Sequence, residues 1–320
     1  MKRLISSFLL SLAFLWAVPV NAREEGAYVA PDDSLVAARL EQWRDLKFGV
    51  IFHWGLYSQA GICESWPICS EDWVSRDSSF TYDSFKRWYW NLSESFAPKE
   101  FNPDQWADAV KNAGARYMVF TTKHHDGFCM FDTRYTDFSI ANYGLKGDPR
   151  ADVAAGVFDA FRRQGLWVGA YYSKPDWHCQ YFWWDKYATP DRHVNYDLEK
   201  NSERWQKYKD FTYNQIEELM TRYGDIDILW LDGGWVATGT REDVDMDRIG
   251  GMARSHQPDL LVVDRTVGGK WENYRTPEQM IPAEPYDCPW ESCMTLGTDW
   301  GYVRNPRYKS VNRVISTLCE

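Results

Sequence analysis

The sequence predicts an α/β fold on a parallel sheet, of the (β/α)8, TIM-like barrel type. Short apolar runs between breakers alternate with amphipathic helical stretches from residue 40 onward, which is the pattern of repeated βαβ units. The runs are mostly apolar throughout, as in strands covered on both faces. Several of them stop at a residue able to do chemistry. The clearest is Ile226–Leu231, which runs into Asp232, Gly233 and Gly234, and the carboxyl ends of barrel strands are where such folds place catalytic groups. A plainer alternative for Asp232 is a helix N-cap closing a strand–helix loop.

Taken in order, Phe48 to His53 reads as a first strand. Asn102-Pro103-Asp104 then opens a helix, with Asn as the cap and Pro at the first helical position. Tyr117 to Thr122 is a second strand. A helix over Asp152 to Arg163 precedes a third strand, Leu166 to Tyr172, and the long amphipathic stretch Ser202 to Tyr223 leads into Ile226–Leu231. Leu260 to Val263 and Glu291 to Thr295 complete a series of six predicted strands, and a helical pattern begins near Tyr308. A closed barrel has eight strands, so the expectation is an incomplete, C-terminally truncated barrel that lacks its last strand.

Residues 1–22 read as a leader and not as part of the fold. Lys2 and Arg3 precede a mostly apolar core, and Val20-Asn21-Ala22 is a small-x-small cleavage site, the layout of a secretory signal peptide. Export to the periplasm or the medium is therefore expected, or a lysosomal destination in a eukaryote, with residues 23–320 forming one catalytic domain. No later run has the apolar length of a membrane span. A net charge of −10 without a basic tract argues against nucleic acid and against anionic membrane surfaces. Eighteen tryptophans and nineteen tyrosines provide apolar faces with polar edges, which suit sugar rings. Seven cysteines leave at least one unpaired. Cys63 with Cys69, and Cys288 with Cys293, are near enough in sequence for local disulfides.

The polar strand ends converge if the strands are parallel neighbours. His53, the pair His124 and His125, Tyr171, Asp232 and Arg265 would then share one rim, with three of the six histidines among them. Adjacent residues at a strand end point to opposite faces, so His124 and His125 are not expected to ligate one ion, and no metal or other cofactor is expected. The G-x-S-x-G, G-x-G-x-x-G and H-E-x-x-H patterns are all absent. Glycoside hydrolysis, which uses two carboxylates among hydrogen-bonding groups, fits this residue set best.

The blocks WRDLKFGVIFHWG (43–55), FNPDQWADAVKNAGARYMVFTTKHHDGF (101–128), GAYYS (169–173), ILWLDGGW (228–235) and WESCMTLGTDWGY (290–302) resemble the family 29 glycoside hydrolases, the α-L-fucosidases. The resemblance implies an exo-acting, retaining, cofactor-free hydrolase of fucosylated oligosaccharides or glycoconjugates. It also implies a barrel followed by a β-sandwich, and the sandwich is not expected in this chain. Asp232 falls on the nucleophile position, and His53, His124, His125, Tyr171 and Arg265 fall on fucose-binding positions. Trp73 matches the tryptophan beside the C5 methyl of fucose, and Asp72 stands where many members carry Glu, with neighbouring Glu71 a possible substitute. Glu278 resembles the acid/base, with Glu291 and then Glu272 as rivals. The other functional reading is a non-catalytic fucose-binding remnant. The loop from Trp177 to Trp184 is read either as a wall for the leaving group or as an ordinary aromatic lid.

Overall fold

The computed structural model describes residues 26–265 and 267–319, so the leader expected at residues 1–22 lies outside the described residues. The chain runs through α1 (Ser34–Leu46), β1 (Gly49–Phe52), α2 (Leu56–Ala60), α3 (Tyr82–Asn91) and α4 (Pro103–Asn112), then β2 (Tyr117–Lys123), α5 (Val153–Arg163), β3 (Trp167–Ser173) and α6 (Ser202–Arg222). It continues through β4 (Ile228–Asp232), α7 (Met246–His256), β5 (Leu261–Val263) and α8 (Val311–Cys319). Asn102 caps α4 as its sequence predicts, its Oδ1 accepting the Gln105 N–H at 3.3 Å ahead of Pro103.

The five strands form one sheet in the order β1-β2-β3-β4-β5, and every neighbouring pair is parallel. Each strand pairs with its successor in sequence, so the sheet winds in one direction and all its carboxyl ends lie on one edge. Side chains alternate between two faces with period two. Met118, Phe120, Val168, Ala170, Tyr172, Leu229 and Leu231 pack under the helices, against Phe158, Phe161, Ile216 and Leu219. Tyr117, Val119, Tyr171, Ile228, Trp230 and Val263 face the other way and are covered by Val36, Leu40 and Trp43 of α1. The sequence Ile228, Trp230, Asp232 thus delivers the carboxylate to this second face, just beyond its apolar floor.

Two expectations change. Glu291–Thr295 is not a sixth strand. Only isolated parallel bridges form here, Glu278 to Cys293 within the stretch and Arg275 to Trp290 just before it. Pro277 has no N–H to continue a ladder, and Gln279 turns to φ 55°. The local disulfides are also not formed. Cys69 is a free thiol directed at the Trp66 carbonyl at 3.2 Å, and Cys293 is a free thiol against Glu291 at 3.4 Å. Among the described residues no helix is long and apolar enough to cross a membrane.

Candidate active site

Asp232 closes β4 and caps no helix, since the next one, α7, is capped by Asp245. Its Oδ1 accepts from the Gly233 N–H at 2.7 Å and from Arg265 Nε at 3.2 Å, and its Oδ2 accepts from Tyr171 Oη at 2.5 Å. Gly233 sits at φ 85°, where a Cβ would also run into the Pro175 ring; only glycine permits this turn. Burial acts to raise the Asp232 pKa, but the Arg265 guanidinium and the Tyr171 hydroxyl outweigh it and hold the carboxyl well below its usual range. Tyr171 reaches Asp232 because Tyr171 and Trp230 are register partners on one face, with rings stacked 5.4 Å apart.

Arg265 follows β5 in the left-handed region at φ 48°, an uncommon conformation for a residue with a Cβ. Polar contacts to several residues hold it there. Besides Asp232, its Nη1 donates to the Thr276 carbonyl at 3.0 Å and its Nη2 pairs with Glu278. Glu278 also accepts from Trp300 Nε1 at 3.1 Å, yet its side chain remains 42% exposed. One planar cation therefore touches a half-buried and an open carboxylate.

The histidines ring this pair. His53 is half-buried and packs against Tyr171, His124 and Trp300, with ring centroids 5.3, 5.7 and 5.5 Å away, and its buried Nδ1 has no partner among the described residues. Burial pushes its pKa down to about 3, with the neighbouring His124 adding to the effect. His125 Nε2 lies 3.8 Å from Asp232, and its Nδ1 lies 2.7 Å from Ser173 Oγ, whose own proton goes to the Pro175 carbonyl at 2.6 Å. The Ser173 hydroxyl must then accept, so His125 carries its proton on Nδ1 and leaves Nε2 as an acceptor. Burial pushes the His125 pKa down to about 4 and that of His124 well below its ordinary value.

The prediction that His124 and His125 face opposite ways is not met. The ladder shifts register between Thr121 and Lys123, both histidines lie past the end of β2, and their rings are 4.3 Å apart. Strand alternation no longer governs them. Ligand-type atoms of His124, His125 and Asp232 all lie within 4.8 Å of one another. Arg265 already neutralises that carboxylate, however, and would repel a cation.

Below the rim lies a charged platform. Lys123 is completely buried and pairs with Asp176 at 3.1 Å. Lys174 pairs with Asp264, the residue before Arg265, while its backbone N–H donates to the Asp232 carbonyl at 3.0 Å.

The sequence reading misses Glu64 and Trp66. Glu64, only 3% exposed, accepts the Trp300 backbone N–H at 3.2 Å and approaches His124 Nε2 at 4.0 Å. Burial pushes its carboxyl up to about 8, helped by the negative charges of Asp232 and Glu278. Trp66 packs 5.1 Å from His125 and 5.7 Å from Trp235. Glu64 lies in an irregular stretch at φ 44° and Trp66 opens a single 3-10 turn, Trp66–Ile68, too short for any periodicity to mark them. Asp72 and Trp73 are exposed instead, with Trp73 one ring further out, 5.1 Å from Trp66. Glu71 is engaged by Arg192 at 2.6 and 2.9 Å. Of the rival acids, Glu291 is enclosed below the rim, accepting from Tyr117 Oη at 2.6 Å and Trp230 Nε1 at 3.3 Å, and burial raises its pKa. Glu272 is buried and accepts the Gly268 N–H at 2.5 Å. Trp177 and Trp183 are core, stacked 5.2 Å apart and buried, and do not form a wall.

Residues 16–320 match the family model described as Alpha-L-fucosidase. The chain is 28% identical over 300 residues to a putative alpha-L-fucosidase of Caenorhabditis elegans, covering 88% of this chain and 58% of that protein. It is also 28% identical to an alpha-L-fucosidase of Branchiostoma floridae, with coverages of 92% and 65%. The chain thus spans less than two thirds of these curated relatives. Among solved structures, alpha-L-fucosidase isoenzyme 1 from Paenibacillus thiaminolyticus superposes with a TM-score of 0.73 at 32% identity, covering 89% of this chain and 67% of that one. An alpha-L-fucosidase from Lactobacillus casei in complex with alpha-L-fucose product shares the fold, with a TM-score of 0.66 at 23% identity and coverages of 88% and 86%.

Proposed function

The chain belongs to the alpha-L-fucosidase family, and from that premise we propose that it is an exo-acting, retaining α-L-fucosidase that releases L-fucose from fucosylated glycans. The observation that carries this reading is the Arg265 guanidinium joining two carboxylates, Asp232 inside and Glu278 at the opening. A retaining glycosidase needs two such groups close together, one ionised nucleophile and one proton donor. The one-way parallel sheet supports the wall of a (β/α)8-type barrel with this pair at its catalytic edge. The basic, apolar and small-residue pattern of residues 1–22 supports export.

In the first half-reaction an Asp232 oxygen attacks the anomeric carbon and the C1–O bond breaks. The leaving oxygen takes a proton from Glu278. In the second, Glu278 takes a proton from water, whose oxygen attacks C1 and releases Asp232 with configuration retained overall. The Arg265 and Tyr171 contacts keep Asp232 ionised and aimed. His53 Nδ1 and His125 Nε2 offer buried hydrogen-bonding atoms for sugar hydroxyls, and Glu64 beside His124 offers a carboxyl. The Trp66 ring provides an apolar face for the fucose methyl.

Asp232→Gly tests the assignment. The variant is expected to lose on the order of 10⁴–10⁶ in kcat and, with α-L-fucosyl fluoride and azide, to form β-L-fucosyl azide by a single displacement. Undiminished turnover in the variant, or a fucosyl azide of α configuration, would overturn the role of Asp232.

A further inference from the structure

An exposed indole is ordinarily mobile, but Trp73 is held. It is 54% exposed, yet it packs on Trp66 with ring centroids 5.1 Å apart, two residues after Glu71. Glu71 is itself clamped by Arg192, through Nε at 2.6 Å and Nη2 at 2.9 Å. The guanidinium of Arg192 lies 5.0 Å from the Trp66 ring centre and 5.1 Å from that of Trp235. The loop is tied down again by the Ser70 N–H, which donates to the Pro190 carbonyl at 2.9 Å, and by Arg76 Nη1, which reaches the Pro67 and Cys69 carbonyls at 3.2 and 3.1 Å.

This shelf continues outward from the reacting carboxylate. His125 lies 3.8 Å from Asp232, Trp66 lies 5.1 Å beyond His125, and Trp73 a further 5.1 Å beyond Trp66. If the inner step holds the fucosyl ring, the outer one stands where the rest of the glycan must emerge. A rigid, half-exposed indole suits the CH face of a pyranose, and its fixed orientation removes most of the ordering cost of binding. Arg192 is neutralised by Glu71, so the shelf carries no net preference for an anionic sugar.

Resting on the functional reading above, we propose that Trp73, seated on Trp66 in the loop that the Glu71–Arg192 pair ties down, is the floor of a leaving-group subsite that binds an uncharged pyranose of the aglycone. Trp73 determines which glycans are cleaved and takes no part in the bond-breaking step.

The test compares Trp73→Ala and Trp73→Phe with the unaltered chain on a fucosyl disaccharide and on α-L-fucosyl fluoride, whose leaving group has no ring. For the disaccharide, Trp73→Ala is expected to raise KM about fivefold to tenfold with kcat within twofold, azide giving no rescue and Trp73→Phe recovering part of the loss. Fluoride turnover should stay within twofold. Equal losses on both substrates, or none on the disaccharide, overturn the subsite. An unaltered chain that hydrolyses neither substrate refutes the fucosidase reading, and this inference with it.

Discussion

Replacing Glu278 and Glu291 separately by alanine should produce opposite signatures. Glu291 accepts hydrogen bonds from Tyr117 Oη and Trp230 Nε1, both inside the core. Its removal leaves two buried donors unsatisfied at about 1–3 kcal/mol each, or about 2–6 kcal/mol in all. For a chain of this size that lowers Tm by about 4–12 °C, and it imposes no dependence on the leaving group. Glu278 is 42% exposed, and Arg265 keeps its contacts to Asp232 and Thr276 without it. Glu278→Ala should therefore cost only about 1 kcal/mol of stability. It should nevertheless lose about 10²–10⁴ in kcat/KM on a fucosyl disaccharide, while kcat/KM for α-L-fucosyl fluoride, which leaves without a proton, changes a few-fold. Azide should accelerate turnover of the fluoride by the variant and yield α-L-fucosyl azide. Steady-state kinetics on both substrates with calorimetric Tm values decide the matter. A leaving-group-dependent loss and azide rescue in Glu291→Ala, with Glu278→Ala unaffected, would refute the assignment.

The site also predicts how stability varies with pH. Burial pushes the Glu64 carboxyl up to about 8 in the fold from its ordinary 4.5, so the folded chain binds the extra proton between those values. Its contribution is full below about pH 4.5 and is lost as pH rises through about 8. Half-buried His53 and buried His125, pushed down to about 3 and 4 from 6.5 by desolvation, act on the opposite flank, their contribution being full above 6.5 and lost as pH falls toward those values. Glu64→Gln should flatten the decline in Tm between pH 5 and 8 and leave the acid flank in place; an unchanged alkaline slope would show that Glu64 is ionised in the fold. The buried Lys174–Asp264 pair supplies the last test. Lys174→Met removes the cation opposite Asp264 and should destabilise the chain by about 3–5 kcal/mol in urea unfolding, whereas Lys174→Met with Asp264→Leu should recover most of that loss. A single variant as stable as the parent would count against this pair as a support beneath Asp232 and Arg265.

Much of the site is legible in the sequence because strand geometry and chain order place it. Tyr171 and Asp232 fall on one face through the period-two alternation of β3 and β4 and their register, and Arg265 follows the end of β5. A local apolar run with a local stop is enough to mark such positions. Glu291–Thr295 misleads for the same reason. It has a strand's composition, but Pro277 and the turn at Gln279 in its partner segment reduce the pairing to isolated bridges, and a partner segment is not visible in a local pattern.

The sequence by itself determined the α/β class, the parallel strands, the Asn102 cap and the residues at strand ends, since those depend on periodicity and on neighbours along the chain. Only the tertiary structure decided what depends on neighbours across it. The register shift after Thr121 brought His124 and His125 side by side. Packing placed Glu64 against His124 and within the fields of two other carboxylates, which raised its pKa. The same packing moved Trp66 inward, left Trp73 as an anchored outer ring, and set Asp232 and Glu278 on one guanidinium. Desolvation and charge–charge interaction act through space, so no local stretch of sequence carries them.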